Sequence, residues 1–239
     1  SFLQEYPKDV FGNHTEAAQK YSNDAHVADF TAHYKEHLAT FQTKLKAEDF
    51  TASEVALKKA ETLYDESKAG GYAIDLPATE RPSNLRQTWV STKNAFDLAK
   101  DYAAAKAKAA EQKESLQIAT VWETFVNKHP LSNQAKDAKT AVTDAYKAAY
   151  NERLGTFNTA IGKKSEAGFK EAGDTLSAVT LVLKRATDGG YNLGLTAAQQ
   201  PDALTRKLTE ERGAWIEEQA LKAATAESGT QIKAAKFDD

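Results

Sequence analysis

Five consecutive residues raise the question of chemistry. His33, Tyr34, Lys35, Glu36 and His37 read "HYKEH". On a helix, histidines four residues apart lie one turn above each other, so both rings can reach one metal ion. Glu36, beside the pair, is the residue type that works a metal-bound water. His26 stands seven residues before His33 and falls on the same side. The pattern offers the parts of a zinc-dependent hydrolase.

The spacing resembles the inverted zincin signature, and that resemblance implies an α/β domain with a distant glutamate ligand. The chain carries no strand pattern to supply such a domain. An internal comparison also counts against zinc. "YKEHLATFQT" (34–43) lines up with "YNERLGTFNT" (150–159), and the stretch matching HYKEH is "AYNER". There Tyr150 and Glu152 recur, while the two histidines become Ala149 and Arg153. The shared residues are those of an apolar stripe, so the histidines read as its solvated flank. No Gly-x-Ser-x-Gly, phosphate loop, dinucleotide fingerprint or calcium loop occurs. The sequence therefore predicts no catalytic residues, no metal ligands, no cofactor and no enzyme. A zinc-dependent hydrolase using HYKEH is kept as a remote alternative.

The elements that carry these residues are helical. Val27, Phe30, Tyr34, Leu38, Phe41 and Leu45 recur at steps of three and four, as on one helix face. Leu85, Trp89, Phe96, Ala99 and Ala103 continue that spacing elsewhere. Ala, Lys, Glu and Gln fill the intervening positions and favour helix.

The chain also repeats itself. "GGYAIDLPATERPSNL" (70–85) matches "GGYNLGLTAAQQPDAL" (189–204), and "FLQEYP" (2–7) matches "FVNKHP" (125–130). With the pair at 34 and 150, the offsets are 116, 119 and 123 residues, separated only by short loop differences. The sequence predicts a tandem duplication, with unit 1 over 1–124 and unit 2 over 125–239. Each unit reads as three helices. The first unit takes about Thr15–Ala47, then "TASE" (51–54) to Gly70-Gly71, then Ser83 to Lys128 with a break near "EQKES" (111–115). Thr51 and Glu54 have capping-box spacing, and Ser83 is a good N-cap. The second unit takes Ser132–Lys164, Gly168–Thr187 and Pro201 to about Phe237. The expected fold is all-α, elongated, with two tandem three-helix units.

Two loops stand out as candidate binding elements. Gly70-Gly71 and Gly189-Gly190 sit where helices end. Tyr72, Ile74 and Leu76 follow the first pair, and Tyr191, Leu193 and Leu195 follow the second. Either these residues fold back over their own bundle, or the two loops present a bivalent surface to a partner. Trp89, Trp122 and Trp215 fall in predicted helices. Phe96 aligns with Trp215 and Leu208 with Trp89, so apolar replaces apolar and the positions read as core.

"WETFVNKHPLSNQAKDA" (122–138) resembles the helix–turn–helix joint of tetratricopeptide-like repeats in bacterial envelope proteins. There an aromatic-rich helix ends at His-Pro or Tyr-Pro, and small residues let the next helix approach. The recurrence here is near 120 residues, against about 34 in tetratricopeptide units. By architecture the chain is also similar to spectrin-like three-helix rods. Such resemblances imply a scaffold that binds proteins.

Composition agrees. The 239 residues hold 31 Lys and Arg against 34 Asp and Glu, a net charge of −3 with no basic block, so nucleic acid is not an expected partner. The longest apolar stretch, Leu176–Leu183, is too short to span a bilayer. Cys and Met are absent. No Cys excludes disulfides and thiol chemistry. No Met predicts that Ser1 is not a translation start, and a lipid anchor ahead of it stays open. "NHT" (13–15) fits the glycosylation sequon. The expected role is a protein-interaction or scaffold module of a cell-envelope or secreted system, in the periplasm, at the cell surface or secreted. The alternative is a structural stalk or spacer of a surface protein.

Overall fold

The computed structural model describes residues 13–235, and side chains over 16–231. "FLQEYP" (2–7), the side chains of "NHT" and the predicted helix end at Phe237 lie outside the described residues. Seven α-helices make up nearly all of the described chain, and no strand occurs among the described residues. They are α1 Asn13–Lys46, α2 Phe50–Ala69, α3 Pro82–Glu111, α4 Ser115–Lys128, α5 Asn133–Gly162, α6 Glu166–Asp188 and α7 Pro201–Ala235. Short 3₁₀ turns at Ala78–Glu80 and Ala197–Gln199 precede α3 and α7. The fold is all-α. Among the described residues no helix is long and apolar enough to cross a membrane.

The chain divides into two compact units, one ending at Ala99 and the next starting at Lys100, inside α3. The sequence reading puts α4 with the first unit. The structure packs α4 on α5, because the stripe Ala119, Trp122, Phe125 and Val126 is buried against that helix. "EQKES" is a true break, with α3 ending at Glu111 and α4 starting at Ser115.

In unit 1, α1 and α2 form an antiparallel hairpin closed by the start of α3. Tyr34, Leu38 and Phe41 of α1 meet Ala56, Leu57 and Ala60 of α2 and Leu85 of α3. Each such large apolar side chain contributes about 1.5–3 kcal/mol when fully buried. The predicted stripe thus faces the core. Phe50 packs on Phe96 with ring centroids 5.1 Å apart, and Trp89 Nε1 donates to Ser53 Oγ at 3.0 Å.

In unit 2, α5 buries Val142, Ala145, Tyr146, Ala149, Tyr150 and Phe157 between α4 and α6. Phe169 of α6 packs on Trp215 of α7, centroids 5.6 Å apart. Trp122 is buried, and Trp89 and Trp215 are half-buried. From Ile216 to Gln231 every side chain of α7 is exposed.

Local chemistry sets the ends. Ser132 caps α5 as expected, accepting from Ala135 N–H at 3.1 Å. The predicted capping box at Thr51 gives way to Asp49, which accepts from Ala52 N–H at 3.1 Å and so starts α2 earlier. Glu48 at φ 59° is the left-handed residue that turns the chain into that cap. Ser165, preceded by left-handed Lys164 at φ 45°, caps α6 ahead of the predicted start at Gly168. Gly168 is held to glycine by close approach, since a Cβ there would stand 2.6 Å from the Ala160 carbonyl oxygen. Pro82 opens α3, which places Ser83 inside the helix. Between the matched caps Asp49 and Ser165 and the matched Phe50 and Phe169, the offset grows from 116 to 119 residues. The extra residues lengthen α6 by most of a turn, where the sequence suggested a loop difference.

Candidate functional site

The twin Gly-Gly-Tyr loops are built alike. Tyr72 N–H donates to the Ser67 carbonyl at 2.7 Å and Tyr191 N–H to the Ala186 carbonyl at 2.8 Å, the longer bond of a Schellman close. The glycines serve different needs. Gly71 and Gly190 take φ of 79° and 77°, which a side chain resists. Gly70 and Gly189 have ordinary φ, but a Cβ would meet the Tyr72 ring at 2.8 Å and the Tyr191 ring at 2.6 Å. Each tyrosine folds back over its own helix end.

The rings then pack on the bundle. Tyr72 lies 5.9 Å from Phe30 and 4.7 Å from His26, and Tyr191 lies 5.8 Å from Tyr146, between ring centroids. Ile74, Leu76 and Leu193 are buried at 7%, 4% and 4% exposure, so they serve the core. Tyr72, Tyr191 and Leu195 are half-buried, and they alone of the six candidates reach solvent. In unit 2 the loop borders a hollow of about 440 Å³ lined by Leu183, Thr187, Tyr191, Leu195 and Gln200.

A second lock closes each loop. The Tyr34 hydroxyl donates to the Glu80 carbonyl, and the Tyr150 hydroxyl donates to the Gln199 carbonyl. Burial pushes the Tyr34 phenol up to about 12, with the Glu80 carboxylate adding to it. Burial raises Tyr150 as well. Tyr146 is raised by burial and by its bond to Glu123, 2.7 Å away, and Tyr191 is raised by burial. A neutral tyrosine keeps the proton that its bond needs.

HYKEH lies on α1 and splits across two environments. Tyr34 is fully buried, while His33 and Glu36 are exposed and His37 is half-buried. His33 Nδ1 stands 3.5 Å from Asp29. His26 is occupied against Tyr72. His33 and His37 face a groove of about 590 Å³ between α1 and α2, together with Val55, Lys58, Lys59, Thr62, Leu63 and Glu66. Two ammonium groups at the groove disfavour a dication there. Among the described residues no three His, Asp or Glu side chains gather closely enough to hold a metal ion.

One cluster escaped the sequence reading. Asp101 of α3 accepts from Lys128 Nζ at 2.7 Å and lies 2.8 Å from His129 Nε2. Hydrogen bonding to Lys128 first, and then to His129, holds its carboxyl below the usual range. The cluster pins the His129-Pro130 joint, and His129 also packs on Phe125 at 5.1 Å. Nothing local in the sequence pairs residues 28 apart. No protein-family model, curated protein or solved structure matches this chain.

Proposed function

We propose that the protein is a non-enzymatic protein-interaction module built from two copies of one helical unit. The observation that carries this reading is the pairwise recurrence of packing devices. Left-handed Glu48 and Lys164, capped by Asp49 and Ser165, recur at the same offset. The tyrosine-to-carbonyl locks, the Gly-Gly-Tyr closes, and the Phe50–Phe96 and Phe169–Trp215 clasps recur too, their residues offset by 116 or 119. Independent origins for so many matched, non-adjacent contacts require far more coincidence than one duplicated unit.

The buried hydroxyls also speak for a structural use of the interior. Ser53, Ser67, Ser115, Tyr34, Tyr146 and Tyr150 are each engaged with backbone or a neighbouring side chain. Such repeats work by the surfaces they display. The joint at 122–138 supports the tetratricopeptide-like comparison, because Trp122 and Phe125 are buried and Ala135 and Ala138 sit at the close approach of α4 and α5. Placement outside the cytoplasm, in an envelope or secreted system, belongs to the same proposal and rests on that comparison.

Cross-linking of the intact chain in its native host, read by mass spectrometry, tests the proposal. A specific protein partner is expected, and its absence in repeated captures would refute the module. One observation favours the stalk instead: α7 leaves Ile216–Gln231 without packing. A helical segment exposed on every side suits a spacer. A stalk predicts no specific capture.

A further inference from the structure

The two units differ in how they fill the groove between matching helices. In unit 2, α6 and α7 leave a hollow of about 540 Å³, lined by Phe169, Gly173, Leu208, Gly213 and Ile216 together with the cations Lys170 and Arg212. At the offset of 119, the same positions between α2 and α3 of unit 1 are Phe50, Glu54, Trp89, Asn94 and Asp97, with Thr51 and Lys93. There the Trp89 indole lies over the start of α2, its Nε1 donating to Ser53 Oγ at 3.0 Å. Lys93 stands 6.0 Å from the centroid of the Phe50 ring and pairs with Asp97 at 2.5 Å. Unit 1 fills with its own ring and charges the space that unit 2 leaves open.

The replacements in unit 2 run in one direction. Leu208 stands for the indole, Ile216 for a carboxylate, and glycines for Glu54 and Asn94. Arg212, the counterpart of Lys93, bonds instead to Glu166, a residue with no counterpart in unit 1. The glycines have no need of their own within the fold. Neither Gly173 nor Gly213 has a left-handed φ, and a Cβ at either would meet nothing within 4 Å. Gly168, by contrast, is held by the Ala160 carbonyl. Glycine inside a helix weakens it. Gly155 is equally open, but Gly173 and Gly213 line one hollow from its two helices. Close approach of a bound molecule to both backbones requires that loss of side chains.

We propose that this hollow binds a small flat aromatic acid, its ring placed where unit 1 places the Trp89 indole. The inference goes beyond the interaction-module reading and does not depend on it. The volume falls within the range of small-molecule sites. Phe169 and Leu208 give the ring apolar contacts, and the two glycines admit it between the helices. The acid follows from charge. Relative to unit 1, the site loses the carboxylates of Glu54 and Asp97 and gains the ammonium of Lys170 in place of Thr51. Arg212 is held by Glu166, whereas Lys170 makes no ion pair among the described residues. Lys170 is the group that meets the ligand's carboxylate.

The test titrates the full, isotopically labelled chain with indole-3-acetate, with its neutral counterpart indole-3-acetamide, and with N-acetyltryptophanamide, which stands for the side chain of a protein partner. Binding is read by amide shifts. The expected result is saturable shifts at Gly173, Gly213 and Ile216, with the acetate binding about three-fold more tightly than the acetamide, as one exposed ion pair allows. Lys170→Gln should level the two. Gly173→Glu and Gly213→Asn restore the residues of unit 1, and each should weaken both ligands by about ten-fold. Room for a Cβ at both positions preserves the fold, which thermal melts verify. Gly155→Asn, outside the hollow, should leave binding unchanged. The absence of saturable shifts with both acetate and acetamide overturns the site. Binding that survives Gly173→Glu and Gly213→Asn does the same, as does an equal loss with Gly155→Asn. An acetate that binds no more tightly than the acetamide overturns the acid. Tighter binding of N-acetyltryptophanamide than of the acetate would make the occupant a partner's side chain and overturn the assignment.

Discussion

Tyr34 and Tyr150 set the residue scale. Each spends its hydroxyl on one carbonyl of a 3₁₀ segment that would otherwise be unpaired. Changing either to Phe is expected to cost about 1–2 kcal/mol in urea unfolding. Near-equal costs follow if the units are copies. The same groups set an alkaline limit. Their folded pKa values lie above the ordinary tyrosine value, so the folded state keeps protons that the unfolded state loses. Their contribution is full below about pH 10 and is lost as pH rises through the folded values, to about 12 for Tyr34. Thermal melts from pH 8 to 11.5 should fall above pH 10, and Tyr34→Phe should flatten part of that fall. Of this, the sequence carried the recurrence of Tyr34 and Tyr150 but not their partners, 46 and 49 residues away, because a carbonyl has no sequence signature.

At the scale of elements, the loops depend on two unlike glycines. Gly71→Ala and Gly190→Ala are expected to cost about 1 kcal/mol each through the left-handed backbone. Gly70→Ala should cost through a clash with the Tyr72 ring, so adding Tyr72→Ala should recover part of the loss. A double-mutant cycle in chemical denaturation reads this coupling, and strict additivity would show that the ring is not the obstacle. Helix positions were legible where apolar spacing was strong, as along Phe30 to Leu45. Cap positions were not, since Asp49 and Thr51 are both acceptable caps and only packing chooses between them. The ownership of α4 was hidden too. Its stripe of Trp122, Phe125 and Val126 says that it packs, without saying on which neighbour.

For the whole molecule, the balance of charge and the all-α fold were readable directly, while the site was only half so. HYKEH drew notice as a metal pattern, yet its residues divide between core and groove. Adding zinc or chelator is expected to leave the melting temperature unchanged, and a rise of several degrees with zinc would contradict that reading. The candidate loops close their own bundles, with Ile74, Leu76 and Leu193 in the core and Tyr72, Tyr191 and Leu195 reaching solvent.

The most direct measurement is cross-linking of the full chain in its native host, read by mass spectrometry. The account predicts that a specific protein partner is captured. Background alone in repeated captures would contradict an interaction module.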